Sequence, residues 1–187
     1  MKRFFTVLLA ALFVVGLSAQ TIYKVDPYHS SINFKVKHLG VSFVTGKFEK
    51  FDGMIEGSDV KNARIDFTVD VNSINTGVEM RDKHLRSADF FDVPKFPSMK
   101  FTSTSIKKSG KIYKLNGNLT IKDVVRPVVF DVVMNGPVKG KNGGDIYGFS
   151  AKTTINRFDY GVAYDPELKS VGKDVHITLY LEFGQQK

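Results

Sequence analysis

Val175-His176-Ile177-Thr178-Leu179-Tyr180-Leu181-Glu182-Phe183 places an apolar residue at every odd position and a polar or amphipathic one between. A repeat of two belongs to an extended strand with one face buried and the other wet. The same beat recurs upstream. Ile65-Phe67-Val69-Val71 alternate with Asp66, Thr68, Asp70 and Asn72, and Ile32-Phe34-Val36 with Asn33, Lys35 and Lys37. Tyr113-Leu115-Gly117-Leu119-Ile121, Val128-Phe130-Val132-Met134 and Tyr147-Phe149-Ala151-Thr153-Ile155 repeat it, and weaker strands fit around 45–55 and 99–106. The count is about eight strands, each polar on one face, which is the pattern of an antiparallel sheet wetted on one side.

Lys108-Ser109-Gly110-Lys111, Asn135-Gly136-Pro137 and Asn142-Gly143-Gly144-Asp145 read as turns between strands. One segment departs from the repeat. Thr76-Gly77-Val78-Glu79 has the form of a capping box, and Met80, His84, Leu85 and Ala88 follow at helical spacing up to Phe90-Phe91. Pro94 and Pro97 then end it, so the chain predicts one short helical segment between its third and fourth strands. Eight strands can close into a barrel or pack as a sandwich; a barrel removes exposed edges and can hold one small ligand. Gly40, Gly46, Gly53, Gly117, Gly148 and Gly161 sit in or beside strands, where a sheet that coils sharply needs them. Alternation does not register empty space, so a filled core and a cavity stay open as alternatives.

The first nineteen residues set the expected compartment. Lys2 and Arg3 precede the uncharged apolar run Phe4 to Leu17, and Ser18 and Ala19 offer small residues before Gln20. That layout predicts a cleaved signal peptide over 1–19 and one mature domain over 20–187, working in the periplasm or outside the cell. An uncleaved anchor is the alternative, and Leu17 is bulky for its place before the cut. No later stretch has the length to cross a bilayer. Without Lys2 and Arg3 the 27 Lys and Arg fall to 25 against 19 Asp and Glu, a net +6 on a mixed surface. The clusters at Lys107-Lys108 and Lys139 to Lys141 lie beside glycines, as solvated loop tips rather than nucleic-acid grips. A basic face also suits loose contact with a membrane surface. There is no cysteine, which removes disulfides, thiolate nucleophiles and lipid attachment through sulfur.

Catalytic signals are weak. His29, His38, His84 and His176 have no metal-ligand spacing on one element, and neither a metal nor a cofactor is expected. His176 belongs to the polar face of its strand, whereas His38 continues the apolar parity of Ile32, Phe34 and Val36 and points inward. His84 and Asp82 are two apart and do not share a helical face, so an acid–base pair there needs a partner from elsewhere. Asp82, Asp89 and Asp92 lie close together, but capping and solvating the helical segment accounts for them. No Gly-x-Ser-x-Gly elbow occurs, and the glycine-rich loop at 140–144 leads into a strand rather than a phosphate-binding helix.

Longer motifs carry a family resemblance. Asp26-Pro27-Tyr28-His29-Ser30-Ser31-Ile32-Asn33-Phe34 opens the mature chain; Gly46-Lys47-Phe48, Phe51-Asp52-Gly53 and Ser73-Ile74-Asn75-Thr76 follow. Asp82-Lys83-His84-Leu85-Arg86-Ser87-Ala88-Asp89-Phe90-Phe91-Asp92-Val93 is the most specific, before Phe96-Pro97, Gly117-Asn118-Leu119-Thr120-Ile121-Lys122, Pro127-Val128 and Asn156-Arg157-Phe158-Asp159-Tyr160-Gly161. The chain resembles the YceI-like family of exported lipid-binding proteins over nearly all of 22–183. Asp123, where a glycine is more usual, and Tyr160, where Phe is commoner, are mild departures.

The resemblance implies an all-β, lipocalin-like barrel of eight antiparallel strands with a long apolar pocket. It implies a ligand too, a polyisoprenoid or similar long-chain amphiphile that is sequestered or transported without an enzymatic step. Ile32, Phe34, Val36, Phe67, Phe101, Leu119, Phe130 and Phe149 are the expected lining. Leu85, Phe90 and Phe91 would form a lid, and His38, His84 or Arg157 would stand near a headgroup. The rival readings are a hydrolase or isomerase acting on such a lipid through His84 and a carboxylate, and a filled-core interaction barrel. An open barrel mouth would also suit a homodimer.

Overall fold

A computed structural model describes residues 20–57 and 62–186, so the expected signal peptide lies outside the described residues. The elements run β1 (Ile22–Val25), β2 (Ser31–His38), β3 (Ser42–Phe48), β4 (Phe51–Glu56), β5 (Arg64–Asp70) and β6 (Ile74–Asn75). Then come α1 (Glu79–Arg86), β7 (Ser98–Ser109), β8 (Ile112–Ile121), β9 (Val124–Lys139), β10 (Asp145–Asn156) and β11 (Val171–Gln185). Neighbours pair antiparallel in the order β1-β4-β5-β7-β8-β9-β10-β11, and β11 returns to β1 through Tyr23↔Gln185 and Val25↔Phe183. The sheet is therefore a closed barrel.

Eleven strands make eight staves because three staves are interrupted. β2 continues β1 along β11, with Ile32 opposite Leu179 and Val36 opposite Val175. β3 and β4 form the next stave, and β5 and β6 the third. Each break is stitched by short polar side chains. Asp26 accepts from the Tyr28 N–H at 2.8 Å and lies 2.8 Å from His29 Nδ1, while the Ser30 hydroxyl accepts from the Glu182 N–H at 2.9 Å. At the second break Ser73 Oγ accepts from the N–H groups of Glu49 and Lys50. The Asp70 carboxylate caps the 3₁₀ turn Val71–Ser73 through Asn72 N–H at 2.9 Å. These contacts satisfy backbone groups that the interrupted ladder would otherwise leave bare.

Two turn and cap expectations are corrected. Asn135-Gly136-Pro137 lies inside β9, not at a turn; the register with β10 shifts there, between Ile146 and Gly148, as a bulge. Gly136 takes φ +96°, a conformation open to glycine, which lets the strand bend and continue. Thr76 does not cap α1: the cap residue is Val78, without a side-chain bond. The Thr76 hydroxyl and N–H instead bind the buried Asp82 carboxylate, and Arg81 donates to Thr76 Oγ1 at 2.7 Å and to its carbonyl at 3.0 Å. The helix also ends sooner than its spacing suggests. Ser87 N–H and Oγ both bond the His84 carbonyl, and Phe90 and Phe91 lie in the turns beyond.

The inward face is apolar on every stave, as the alternation requires. In β5, Ile65, Phe67 and Val69 face in, while Asp66 faces out to Arg64 and Thr102. What keeps so many aromatic rings from filling the middle is a set of inward glycines. A Cβ on Gly46 would lie 2.4 Å from the Phe34 ring, one on Gly53 2.1 Å from Phe67, and one on Gly117 2.3 Å from Phe101. Each ring therefore occupies its neighbour's side-chain space and lies along the wall. Gly53→Ala is expected to push Phe67 off the wall, destabilising the protein by about 1–3 kcal/mol as overpacking does. Denaturant unfolding measures this, and unchanged stability would show that the ring has room to move elsewhere.

Candidate ligand cavity

The staves enclose a cavity of about 460 Å³, within the usual range for small-molecule sites. The expected wall residues all line it: Ile32, Phe34 and Val36 of β2, Phe67 of β5, Phe101 of β7, Leu119 of β8, Phe130 of β9 and Phe149 of β10. Leu85 lines it from α1, and Phe90 and Phe91 from the turns after the helix. His38, His84 and Arg157 lie at its upper end, the end that holds the 38–42 turn, α1 and the 156–171 loop. Among the described residues no carboxylate lines the cavity. The lower end is aromatic: Tyr147 stacks on Phe149, whose ring meets Phe183 edge-on at 5.7 Å.

The polar lining is concentrated at the upper end, and its members differ in what they are free to do. Arg157 is buried and gives all five guanidinium donors to backbone carbonyls. Nε bonds Gly172 at 2.9 Å; Nη1 bonds Val162 and Tyr164; Nη2 bonds Asp165 at 3.3 Å and Val171 at 3.0 Å. Arg157 lines the cavity as expected, and its donors hold the 162–172 loop over the barrel. Burial lowers its pKa, and the charge of Asp165 opposes that shift.

His84 is placed differently. Its Nε2 lies 2.9 Å from Asp89 Oδ2, and its ring meets Phe90 and Tyr164 edge-on at 5.1 and 5.0 Å. Phe90 and Tyr164 are 4.7 Å apart, so the three rings join α1 to the 162–172 loop across the mouth. His38 ends β2 opposite Val171 and is half-buried. Arg81 and Tyr164 were missed in the sequence. Arg81 could have been found, since 81, 84 and 85 share one helical face; Tyr164 lies in a loop with no period to read. His176 faces outward as expected, with Nδ1 2.9 Å from Thr154 Oγ1. Asp26, His29 and Glu182 each bring a ligand atom within 4.8 Å of the others, on the outer surface at the β1–β2 break. That trio is an exposed ion-pair network apart from the cavity.

A closed eight-stranded antiparallel barrel around an apolar, one-ended polar cavity defines a class of small binding barrels. The YceI-like domain family matches residues 23–183, and the chain belongs to that family. A Salmonella arizonae Protein YceI is 37% identical over 185 residues, covering 96% of this chain and 95% of the relative. The crystal structure of a Campylobacter jejuni YceI protein superposes with TM-score 0.73 at 31% identity, over 82% of this chain and 91% of that one. Burkholderia cenocepacia BcnA shares the fold, with TM-score 0.76 and 24% identity over 84% of this chain and 98% of that one. So does a Saccharophagus degradans polyisoprenoid binding domain implicated in plant cell wall breakdown, at TM-score 0.71 and 15% identity over 88% and 98%.

Asp165 holds the loop from its other side. Its carboxylate accepts from the N–H groups of Val171, Ser170 and Lys169 and from the Ser170 hydroxyl. The Val171 and Ser170 N–H bonds chiefly hold its pKa down to about 2 from an ordinary 3.8. The depressed folded value means that its stabilisation is complete above about pH 4 and fades as pH falls toward about 2. Asp165→Asn keeps a residue tolerant of the local φ of +53° while removing the charge. Its melting temperature should fall below the parent's near neutral pH, with the gap narrowing in acid. A gap that stays constant with pH would show that the charge is not what holds the loop.

Proposed function

We propose that this protein is an exported carrier that sequesters or transports a polyisoprenoid or similar long-chain amphiphile in the periplasm or outside the cell. The observation that carries the reading is the cavity: apolar along its length, free of carboxylates among the described residues, and polar at one end. Such a space suits an uncharged, irregular hydrocarbon chain, which needs no directional bonds. Burying that chain gains about 2.5 kcal/mol per 100 Å² of apolar surface removed from water. On this reading His84, His38 and Arg157, with Arg81, would meet a polar head, and their position at the upper end of the lining supports it. The polyisoprenoid binding domain of the same fold gives the reading its ligand class. Export rests on the pattern of residues 1–19.

The cavity also supplies a thermodynamic reason for a cargo. Side chains lining an apolar space of about 460 Å³ lack packing partners on that side, and an apolar occupant supplies them. A filled-core interaction barrel is disfavoured by the same cavity.

Native mass spectrometry of the protein purified from its own host, followed by organic extraction, tests the carrier reading. A stoichiometric prenyl-lipid adduct is the expected result; a bare mass that stays bare with added isoprenoid lipids would overturn it. Ala151 is buried and lines the middle of the cavity. Ala151→Trp should plug it and weaken lipid binding by at least about tenfold, equivalent to 1.4 kcal/mol, while circular dichroism stays that of a β-barrel. His84→Ala separates the enzymatic rival: a carrier retains its cargo chemically unchanged, whereas a hydrolase or isomerase loses turnover.

A further inference from the structure

Exposed apolar side chains such as Tyr28, Val129, Val133 and Tyr180 are scattered over the outer wall, but a contiguous group gathers at one end of the barrel. Leu39 and Val41 stand on the 38–42 turn, Val78 and Met80 at the start of α1, and Tyr164 and Leu168 on the loop before β11. All six lie at the upper end. Val41 is 86% exposed and Met80 84%, values close to those of a free side chain. The three loops are neighbours around the mouth. Leu39 N–H bonds the Ser170 carbonyl at 2.9 Å, joining the turn to the loop, and Tyr164 meets His84, joining the loop to the helix. Met80 is one helical turn before His84, on the face that reaches the mouth. Tyr164 is both exposed and part of the lining, so apolar surface runs from the cavity to the outside without a polar break there.

We propose that the mouth of the barrel docks on a phospholipid bilayer, with the tips at Val41, Met80 and Leu168 entering the headgroup layer. The occupant follows from shape and charge. Separate tips around an opening leave gaps that fluid lipid fills, whereas a flat protein surface would bridge the tips and leave the opening unsealed. Lys35, Lys37 and Lys173 stand behind the tips on β2 and β11, placed to meet anionic headgroups, with Lys35 over the Phe43 ring at 5.0 Å. The lower end differs in balance: its turns at 109–112 and 139–145 present Lys108, Lys111 and Lys141, with Val138 and Ile22 as its exposed apolar residues. Docking by the mouth would let a chain pass between bilayer and cavity without crossing water, a path whose cost scales with the apolar area exposed. In this it deepens the carrier reading, and it rests on that reading for its purpose, though not for its measurement.

The experiment is sedimentation with vesicles of phosphatidylethanolamine and phosphatidylglycerol, using the protein purified from its host. Val41→Asp with Met80→Asp should lower the bound fraction at least about tenfold, as loss of two inserted side chains predicts. Lys108→Glu with Lys141→Glu should change it little, and binding should persist at high salt. A reversed pattern, with the lysine variant losing binding and the tip variant keeping it, would overturn the proposal in favour of the basic end. So would no vesicle binding by the parent, or a tip variant that changes oligomeric mass in solution, which would make a second copy the occupant. A labelled cysteine gives an independent reading in a chain without native cysteine. A polarity-sensitive dye on Val41→Cys should blue-shift on vesicles, and one on Lys141→Cys should not; the opposite result overturns the proposal. Cargo is assayed separately by mass spectrometry, so a protein that carries lipid but does not dock is distinguishable from one that does neither.

Discussion

Phe34, Phe67 and Phe101 lie where side chains on Gly46, Gly53 and Gly117 would be, and the open interior of the barrel depends on that packing. An eight-stranded barrel is only just wide enough for its inward side chains to fill it. Rings projecting to the axis from every stave would make a solid core. Placing glycine beside phenylalanine turns the rings onto the wall instead. The wall stays apolar and thick enough to shed water, while the axis is left for something else. The same contacts bind adjacent staves, because Phe34 faces Gly46 and Phe67 faces Gly53 across paired strands. Cavity and wall stability thus come from one arrangement.

The upper end is built on a second constraint. A loop running over an apolar opening cannot satisfy its carbonyls from a β-ladder, and buried backbone oxygens without partners are costly. Arg157 answers this with five donors aimed at carbonyls of the loop and of β11, and Asp165 takes N–H groups on the other side. The pair forms a frame that holds Tyr164 against His84 and Phe90. By contrast α1 is tethered chiefly through Thr76, Asp82 and Arg81, near its N-terminal end, and through Arg86 to the carbonyls of Asn72 and Ile74. One side of the mouth is braced from within and the other is hung from its ends.

The strands were legible because one face is wet: Asp66, Thr68 and Asp70 mark β5 as clearly as Ile65, Phe67 and Val69 do. Eight staves were readable for the same reason, although the three interruptions were not. Those depend on side chains such as Ser73 and Ser30 bonding backbone far away in sequence, which leaves no local trace. Asn135-Gly136-Pro137 misled because a bulge and a turn ask for the same residues. Thr76 misled because Asp82, six residues on, outcompeted the helix terminus for its hydroxyl. Within the lining, parity identified the wall residues but not the partners of Arg157. All five are backbone atoms that sequence does not display.

The placement of polarity along the axis has a consequence for how an amphiphile would sit. A chain entering tail-first gains from every apolar contact as it advances, and the aromatic lower end, with Tyr113 in its lining, offers a polar head little. The head would therefore be held at the upper end by cost as much as by attraction: moving it deeper would strip it of water for few partners. Arg81 and His84 stand at the place where the head must stop, His84 already paired through Nε2 with Asp89 and Arg81 in part with Thr76. On the proposed carrier reading, orientation would be set by the gradient of the wall, and fine selection would be left to the rim, where the charged and titratable side chains gather.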